Sequence, residues 1–224
     1  MLARAREWSR CGAACSGTWN PLQYDRDSDS LPPRAFGQHA VGVSDLGQNV
    51  LLYSSGGDMP EQLENPPSYW TQIELGDSGG VVKGSTAVDG VPRKYAANTA
   101  ARNKAVSVGG FDGNGLAPAN LILITDLADR STNGLDLGCS PASRIGAALG
   151  SADGVVFWLF GGQNEEGVAL GDLWRFQVNG VCSQQEFEVG PSERAFAASA
   201  VYRGNLVVAG GVTVAFDVES GRIN

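Results

Sequence analysis

Short β-rich runs recur along the chain at regular intervals, and each of them ends in a pair of glycines. The runs NVLLYSS, KAVSV, GVVFWLF and NLVVA precede the pairs Gly56-Gly57, Gly109-Gly110, Gly161-Gly162 and Gly210-Gly211. Successive pairs lie 53, 52 and 49 residues apart. A nearly fixed period of this length indicates a repeat architecture, in which each period is one structural unit.

An arginine that closely follows a proline precedes every glycine pair. These arginines are Arg34, Arg93, Arg144 and Arg194, at intervals of 59, 51 and 50 residues. The segments that begin at Arg93 and Arg194 share seven of eighteen residues, and RAFGQHAV from Arg34 matches RAFAASAV from Arg194 at five of eight. The chain therefore divides into a first, second, third and fourth unit, which start near residues 34, 93, 144 and 194.

The pattern within each unit predicts four short strands. Turn residues such as Asp153-Gly154 separate the arginine-led segment from the run before the glycine pair, as in a β-hairpin. After a polar loop we expect a third strand, at residues 68–75, 119–127, 172–178 and 213–218. A weaker fourth strand, such as residues 185–189, leads to the next proline. Four antiparallel strands per unit are typical of the blade of a β-propeller.

The combined motif resembles the kelch repeat, since the proline and arginine, the glycine pair and the Asp172-Leu173-Trp174-Arg175-Phe176 run follow one another in the third unit. The resemblance covers residues 15–224 and leaves residues 1–14 as a disordered or truncated tail. It implies an all-β fold, a kelch-type β-propeller of about four four-stranded antiparallel blades within the galactose oxidase-like central domain superfamily. Kelch rings usually have more than four blades, so an incomplete ring is expected, with a closed four-bladed ring as the alternative.

Composition and charge narrow the class of partner. The chain has 224 residues and a net charge of -8, which argues against a surface that follows nucleic-acid phosphates. No stretch reaches the roughly 18 apolar residues that span a bilayer, and the first residues lack the apolar centre of a signal peptide. We therefore expect no membrane insertion and favour an intracellular location.

Two motifs suggest catalysis or metal binding but lack the required companions. The GDSGG run at residues 76–80 spells the nucleophile motif of serine proteases, yet His39 is the only histidine and stands 39 residues before Ser78. A turn between the third and fourth strands accounts for the same letters. The Asp112-Gly113-Asn114-Gly115 run lacks the downstream glutamate of a calcium loop. We expect no catalytic residues, no metal and no cofactor.

The four cysteines form no recognisable metal motif. Cys11 and Cys15 lack a second ligand pair for zinc. Cys139 and Cys182 both precede a unit start, so a disulfide between them stays an open alternative to free thiols.

The unit-leading arginines, Arg34, Arg93, Arg144 and Arg194, are the candidate binding residues. The kelch resemblance implies that they surround the central channel, near the start of each innermost strand. The planar guanidinium suits carboxylates, so a ring of arginines would hold an acidic peptide. The alternative is that they tie neighbouring blades together by hydrogen bonds to carbonyls, and the two roles are compatible.

The expected function is that of a scaffold or adaptor, not an enzyme, which binds a protein or peptide through its loops and channel rim. The alternative is a kelch-type enzyme, of the sugar epimerase or metal-dependent lyase class. Such an enzyme needs titratable groups that converge on the channel. The candidate carboxylates, Asp58, Glu165, Glu166 and Asp172, are scattered and mostly assigned to outward loops.

Overall fold

A computed structural model describes most of the second, third and fourth units in detail. Residues 93–102, 104–112, 115–126 and 131–213 are described with their side chains. Elsewhere only the backbone of the strands is described, at residues 23–24, 38–43, 50–55, 68–76, 79–88, 216–217 and 222–223. Three features predicted from the sequence lie outside the described residues. They are the tail at residues 1–14, the turn without calcium at residues 113–114, and the candidate binding residue Arg34.

The first unit contains a five-stranded sheet in the order β1-β5-β4-β3-β2. Its strands are β1 (Gln23–Tyr24), β2 (Gln38–Val43), β3 (Val50–Ser55), β4 (Ser68–Gly76) and β5 (Gly79–Val88). All neighbours are antiparallel except β1, which pairs in parallel with β5. Gly76 and Gly79 face each other at the end of the β4–β5 ladder. The GDSGG run therefore joins the expected third and fourth strands of the first unit, which form a hairpin.

The second and third units each form one four-stranded antiparallel sheet, with the strands in chain order. The second unit contains β6 (Ala97–Ala101), β7 (Lys104–Val108), β8 (Leu121–Asp126) and β9 (Thr132–Asp136). The third unit contains β10 (Ala148–Ser151), β11 (Val156–Phe160), β12 (Leu173–Gln177) and β13 (Cys182–Gln185). The expectation of four antiparallel strands per unit is confirmed here.

The last strand of the third unit lies earlier than the expected residues 185–189. The Asn179-Gly180 turn follows β12 directly, and Gln177 donates a backbone hydrogen bond to the carbonyl of Val181 (2.9 Å), so the returning strand pairs at once. Phe176 consequently faces Cys182 across the ladder. Residues 186–189 are outside any strand, and Val189 is 93% exposed.

The fourth unit differs from the predicted pattern after its first hairpin. β14 (Ala198–Tyr202) and β15 (Asn205–Ala209) form a two-stranded sheet in the described part of the chain. The expected third strand at residues 213–218 is represented by β16 (Phe216–Asp217), which pairs with β17 (Arg222–Ile223) and not with β15. The connection between them contains Ser220 and Gly221, turn residues that favour a local hairpin.

Consecutive units contact each other through their leading strands. β2 packs against β6, β6 against β10, and β10 against β14. These strands are rich in small residues, ANTAA in β6 and ALGS in β10, which allow the close approach. No helix among the described residues is long and apolar enough to cross a membrane.

The main hydrophobic core lies between the second and third sheets. The Phe157 and Phe176 rings are both fully buried and stack with centroids 5.4 Å apart. Their neighbours come from both units and include Val106, Ile122 and Leu149. Burying large side chains between sheets, and not within one sheet, makes each unit depend on the next for its stability.

A disulfide joins the same two units away from the leading strands. Cys139, just after β9, is bonded to Cys182 at the start of β13, with Cα atoms 5.6 Å apart. Beside it the Gly138 N–H donates to the Gly180 carbonyl at 2.9 Å. Of the two alternatives left open by the sequence, a disulfide or two free thiols, the structure contains the disulfide. Disulfides are typical of oxidising compartments, so this feature does not support the expected intracellular location.

We predict that Phe157→Ala lowers the free energy of unfolding by about 3 to 5 kcal/mol, because it empties a fully buried aromatic site between two sheets. Chemical denaturation followed by tryptophan fluorescence measures the loss. The control is Val155→Ala two residues away, where the side chain is 43% exposed and a change within about 0.5 kcal/mol is expected. Equal losses in the two variants would contradict the assigned core.

Replacing both Cys139 and Cys182 by alanine should lower the free energy of unfolding by about 2 to 4 kcal/mol, since the crosslink restricts the unfolded chain. Reducing agent should lower the melting temperature of the native protein and have a smaller effect on the double variant. A reductant effect of the same size in both proteins would assign it to other cysteines.

Candidate functional site

The second, third and fourth units each open with the same three-residue turn, which we call the leading turn, at residues 93–95, 144–146 and 194–196. The residue after the arginine forms an isolated two-way bridge with the residue that follows the glycine pair: Lys94 with Phe111, Ile145 with Gln163, and Ala195 with Val212. The leading turn is therefore fastened to the glycine pair of its own unit.

The third residue of every leading turn has a left-handed backbone. Its φ is 57° at Tyr95, 60° at Gly146 and 57° at Phe196. Such values are unusual for aromatic residues, and tertiary contacts hold them here. The Gly146 N–H donates to the Tyr95 carbonyl (2.8 Å), and the Phe196 N–H donates to the Gly146 carbonyl (2.7 Å). A line of backbone hydrogen bonds thus runs from unit to unit through equivalent residues.

The glycine pair of one unit also binds the leading turn of the next. Gly110 donates its N–H to the Arg144 carbonyl (2.9 Å), and Gly162 does the same to the Arg194 carbonyl (2.8 Å). At Gly161 an added Cβ would lie 2.5 Å from that Arg194 oxygen. The first residue of the pair is glycine because the next unit's backbone occupies the space that a side chain would need, whereas at Gly162 the Ile145 carbonyl of the same unit lies 2.8 Å from the Cβ position.

The arginine side chains return to the first glycine of their own unit. A terminal guanidinium nitrogen donates to the Gly109 carbonyl from Arg93 (3.2 Å), to Gly161 from Arg144 (2.9 Å) and to Gly210 from Arg194 (2.9 Å). Of the four predicted binding arginines, these three occupy equivalent positions, and each binds its leading turn to the glycine pair of the same unit. We call these contacts, together with the glycine-to-arginine backbone bonds between units, the joint.

Arg144 is the most completely bonded of the three. Its side chain is fully buried and forms a two-pronged ion pair with Asp172, with N–O distances of 2.6 and 2.8 Å. Its Nε donates to the Ala142 carbonyl at 2.8 Å. With the bond to Gly161, four of the five guanidinium N–H groups are used inside the protein.

Asp172 is held by two neighbours at once. The Trp174 indole N–H donates to Oδ2 at 2.5 Å, while Arg144 binds both carboxylate oxygens. Burial by itself raises the pKa of Asp172, but the hydrogen bond and charge of Arg144, together with Trp174, bring it below the usual value. Asp172 was expected among carboxylates that lie mostly in outward loops, whereas the structure pairs it with Arg144 and Trp174. Arg144 and Asp172 are 28 residues apart in the sequence, and no motif in the sequence links them.

The other arginines have different surroundings. Arg93 is 7% exposed, and burial lowers its pKa while the charge of Asp112 raises it. At the position before β8 that corresponds to Asp172 before β12, the second unit has the uncharged Asn120 and not a carboxylate. Arg194 is only half-buried, and it also bonds the carbonyl and hydroxyl of Ser192, at 3.0 and 2.9 Å. Recognition of an acidic peptide by these arginines stays a prediction, with Arg194 the most accessible of them.

A second candidate is the ordered loop between the glycine pair and β12, which we call the third-unit loop, residues 163–171. Gln163 is buried and bridges Ala169 at the base of the loop. Asn164 and Val168 close a turn through two hydrogen bonds. The Val168 N–H donates to the Asn164 side-chain Oδ1 (2.9 Å), and the Asn164 backbone N–H donates to the Val168 carbonyl (3.0 Å). The turn presents the exposed side chains of Glu165, Glu166 and Val168.

An apolar groove of about 340 Å³ separates the third sheet from β15. Trp158, Phe160 and Leu173 line one side, and Leu206 and Val208 line the other. In the described residues no group of three or more histidine, cysteine or carboxylate side chains is placed to hold a metal ion. The sequence matches no protein-family model and no curated protein.

We predict that Asp172→Asn lowers the free energy of unfolding by about 3 to 5 kcal/mol at pH 7, because it leaves the buried Arg144 without its counter-charge. The difference from the native protein should shrink below about pH 4. The folded-state pKa of Asp172 is depressed, so its contribution is present above the unfolded value of about 3.9 and is lost as the pH falls through the lower folded value.

Urea denaturation at a series of pH values from 7 to 3 measures this dependence. Glu165→Gln, in the exposed turn of the third-unit loop, is the control and should change stability by less than about 0.5 kcal/mol. A loss under about 1 kcal/mol for Asp172→Asn would mean that the ion pair contributes little.

Proposed function

We propose that this chain is a kelch-type propeller scaffold that binds another protein or a peptide, and that it is not an enzyme. The observation that carries the proposal is the rigid joint repeated from unit to unit, which fixes loops of different sequence on a uniform frame. Proteins built in this way commonly place recognition in the loops and stability in the frame. The strand order within units and the contact of successive leading strands support the propeller assignment.

The third-unit loop is the part of the frame best suited to recognition. Its backbone is closed by Asn164 and Val168 and by the bridge at its base, so little ordering is required on binding. Preorganised loops lose less entropy when they bind. The exposed Glu165, Glu166 and Val168 offer two negative charges beside an apolar side chain, which fits a partner with a basic, partly apolar surface.

The arginines give a second, separately testable site for an acidic peptide. Arg194 combines a half-buried position with a guanidinium that makes three hydrogen bonds to described residues, two of them to Ser192. Arg144 is enclosed, so a contribution from it to binding would require the joint to open. Among the described arginines of the set, recognition is therefore proposed for Arg194, with Arg93 and Arg144 stabilising the frame.

We predict that a triple variant of the third-unit loop, Glu165→Lys, Glu166→Lys and Val168→Ala, loses at least tenfold in recovery of the proteins that the native chain captures from cell extract. Its melting temperature should stay within about 2 °C of native, because the changed side chains are exposed. Quantitative mass spectrometry of captured proteins gives the ratio. Glu186→Lys with Glu188→Lys, also exposed and of the same charge change, is the matched control.

A fluorescent hexaglutamate peptide tests the arginine site. Binding should weaken severalfold in Arg194→Ala without a large change in melting temperature, and should weaken further as salt rises. Arg144→Ala should instead lower the melting temperature. If hexaglutamate does not bind the native chain, the acidic-peptide site is wrong, and the loop proposal is judged on the capture experiment alone.

A further inference from the structure

The two faces of the β14–β15 hairpin have opposite surroundings. Ser199, Val201 and Leu206 point to the third unit: the Ser199 hydroxyl donates to the Leu149 carbonyl (3.1 Å), and the other two lie at Gly150. The opposite face, which we call the docking face, is exposed at every position. It consists of Ala198, Ala200, Tyr202, Asn205, Val207 and Ala209.

The equivalent positions of the second and third units are buried or partly buried. Ala148 in the third unit is 2% exposed and Ala97 in the second is 4% exposed, whereas Ala198 is exposed. Ala148 and Ala97 are covered because the next unit packs on them. The docking face of the fourth unit is therefore built like a joint surface, and it carries Tyr202 at 62% and Val207 at 46% exposure.

The glycine pair of the fourth unit is also set for a further joint. At Gly109 and Gly161 the carbonyl oxygen of the next leading arginine fills the position of a missing Cβ. At Gly210, which has a similar φ of 69°, no atom of the described residues lies within 4 Å of that position. Gly210 thus keeps the conformation and the open space of a glycine that receives a leading turn.

The first unit begins with a sequence that is similar to the segment by which the fourth unit docks on the third. The fourth unit docks on the third with the sequence RAFAASAV, and the first unit begins with RAFGQHAV, which matches it at five of eight positions, including Arg34 and Phe36. In the structure β14 and β15 pack against each other and against β10. The docking face itself is exposed in the single chain.

We propose that the docking face of the fourth unit receives the leading segment of the first unit of a second copy of this chain, so that the protein associates head to tail. This inference is independent of the proposed binding function. Two copies joined at both ends would place eight units in one closed ring, which is within the range of blade numbers that propellers adopt. Head-to-tail contacts produce a closed ring when the rotation between copies permits it, and an open filament when it does not.

Sedimentation analysis of the purified full chain from about 1 to 100 µM tests association directly, and the expected species has twice the mass of 23.3 kDa. Gly210→Ala should weaken association at least tenfold, because its methyl group would occupy the space left for the incoming carbonyl. The matched control is Gly204→Ala, which has a similar positive φ of 79° and also open space, but lies in the hairpin turn. It should associate like the native chain.

A photo-crosslinking residue in place of Tyr202 gives a second readout that does not depend on the stability of a glycine variant. A crosslinked product of double mass that contains residues from the first unit is expected. A chain that is monomeric at every concentration, or a product of single mass in which Tyr202 is linked to its own first unit, would overturn the proposal. Equal association in Gly210→Ala and Gly204→Ala would also overturn it.

Discussion

The backbone hydrogen bond from the second glycine of one unit to the leading arginine carbonyl of the next is the contact on which the described structure depends. It occurs between Gly110 and Arg144 and again between Gly162 and Arg194, at nearly the same distance. The first glycine must lack a side chain for this bond to form, and the arginine must have a fixed backbone to accept it. Each arginine side chain meets the second requirement by binding its own glycine carbonyl. The two most recognisable features of the repeat are thus two halves of one joint.

This joint explains why fold class could be predicted from the sequence. Gly161 and Arg144 are determined by backbone geometry that recurs in the second, third and fourth units, and residues of the same kind repeat in the sequence at nearly fixed intervals. The third strand around Trp174 was found for the same reason. Strand ends outside the joint were predicted less well. The last strand of the third unit begins at Cys182 because a local turn sets its register, and hydrophobic pattern alone does not report that register.

The candidate site was predicted less completely. The arginines were identified, but the partner of Arg144 is a carboxylate 28 residues away, and a single sequence contains no direct sign of such a pair. The left-handed residues at Tyr95 and Phe196 were also missed, since neither is glycine or asparagine and their conformation is imposed by neighbouring units. A guanidinium that donates most of its N–H groups to the joint, as Arg144 does, has few of them left for a ligand. Stability and recognition therefore compete for the same side chains, and the exposed loops are free of that competition.

The bond between Cys139 and Cys182 gives the second and third units a covalent link at the ends of their sheets remote from the leading strands. A single protease cut between these cysteines, which are 43 positions apart in the sequence, releases no fragment, since both pieces stay attached through sulfur. Pulling on the two chain ends likewise cannot extend that stretch, because tension passes across the disulfide and bypasses the third sheet up to β13. The third-unit part of the described core, which includes Phe157 and Phe176, is thereby relieved of mechanical load, and a single proteolytic cut there does not detach it.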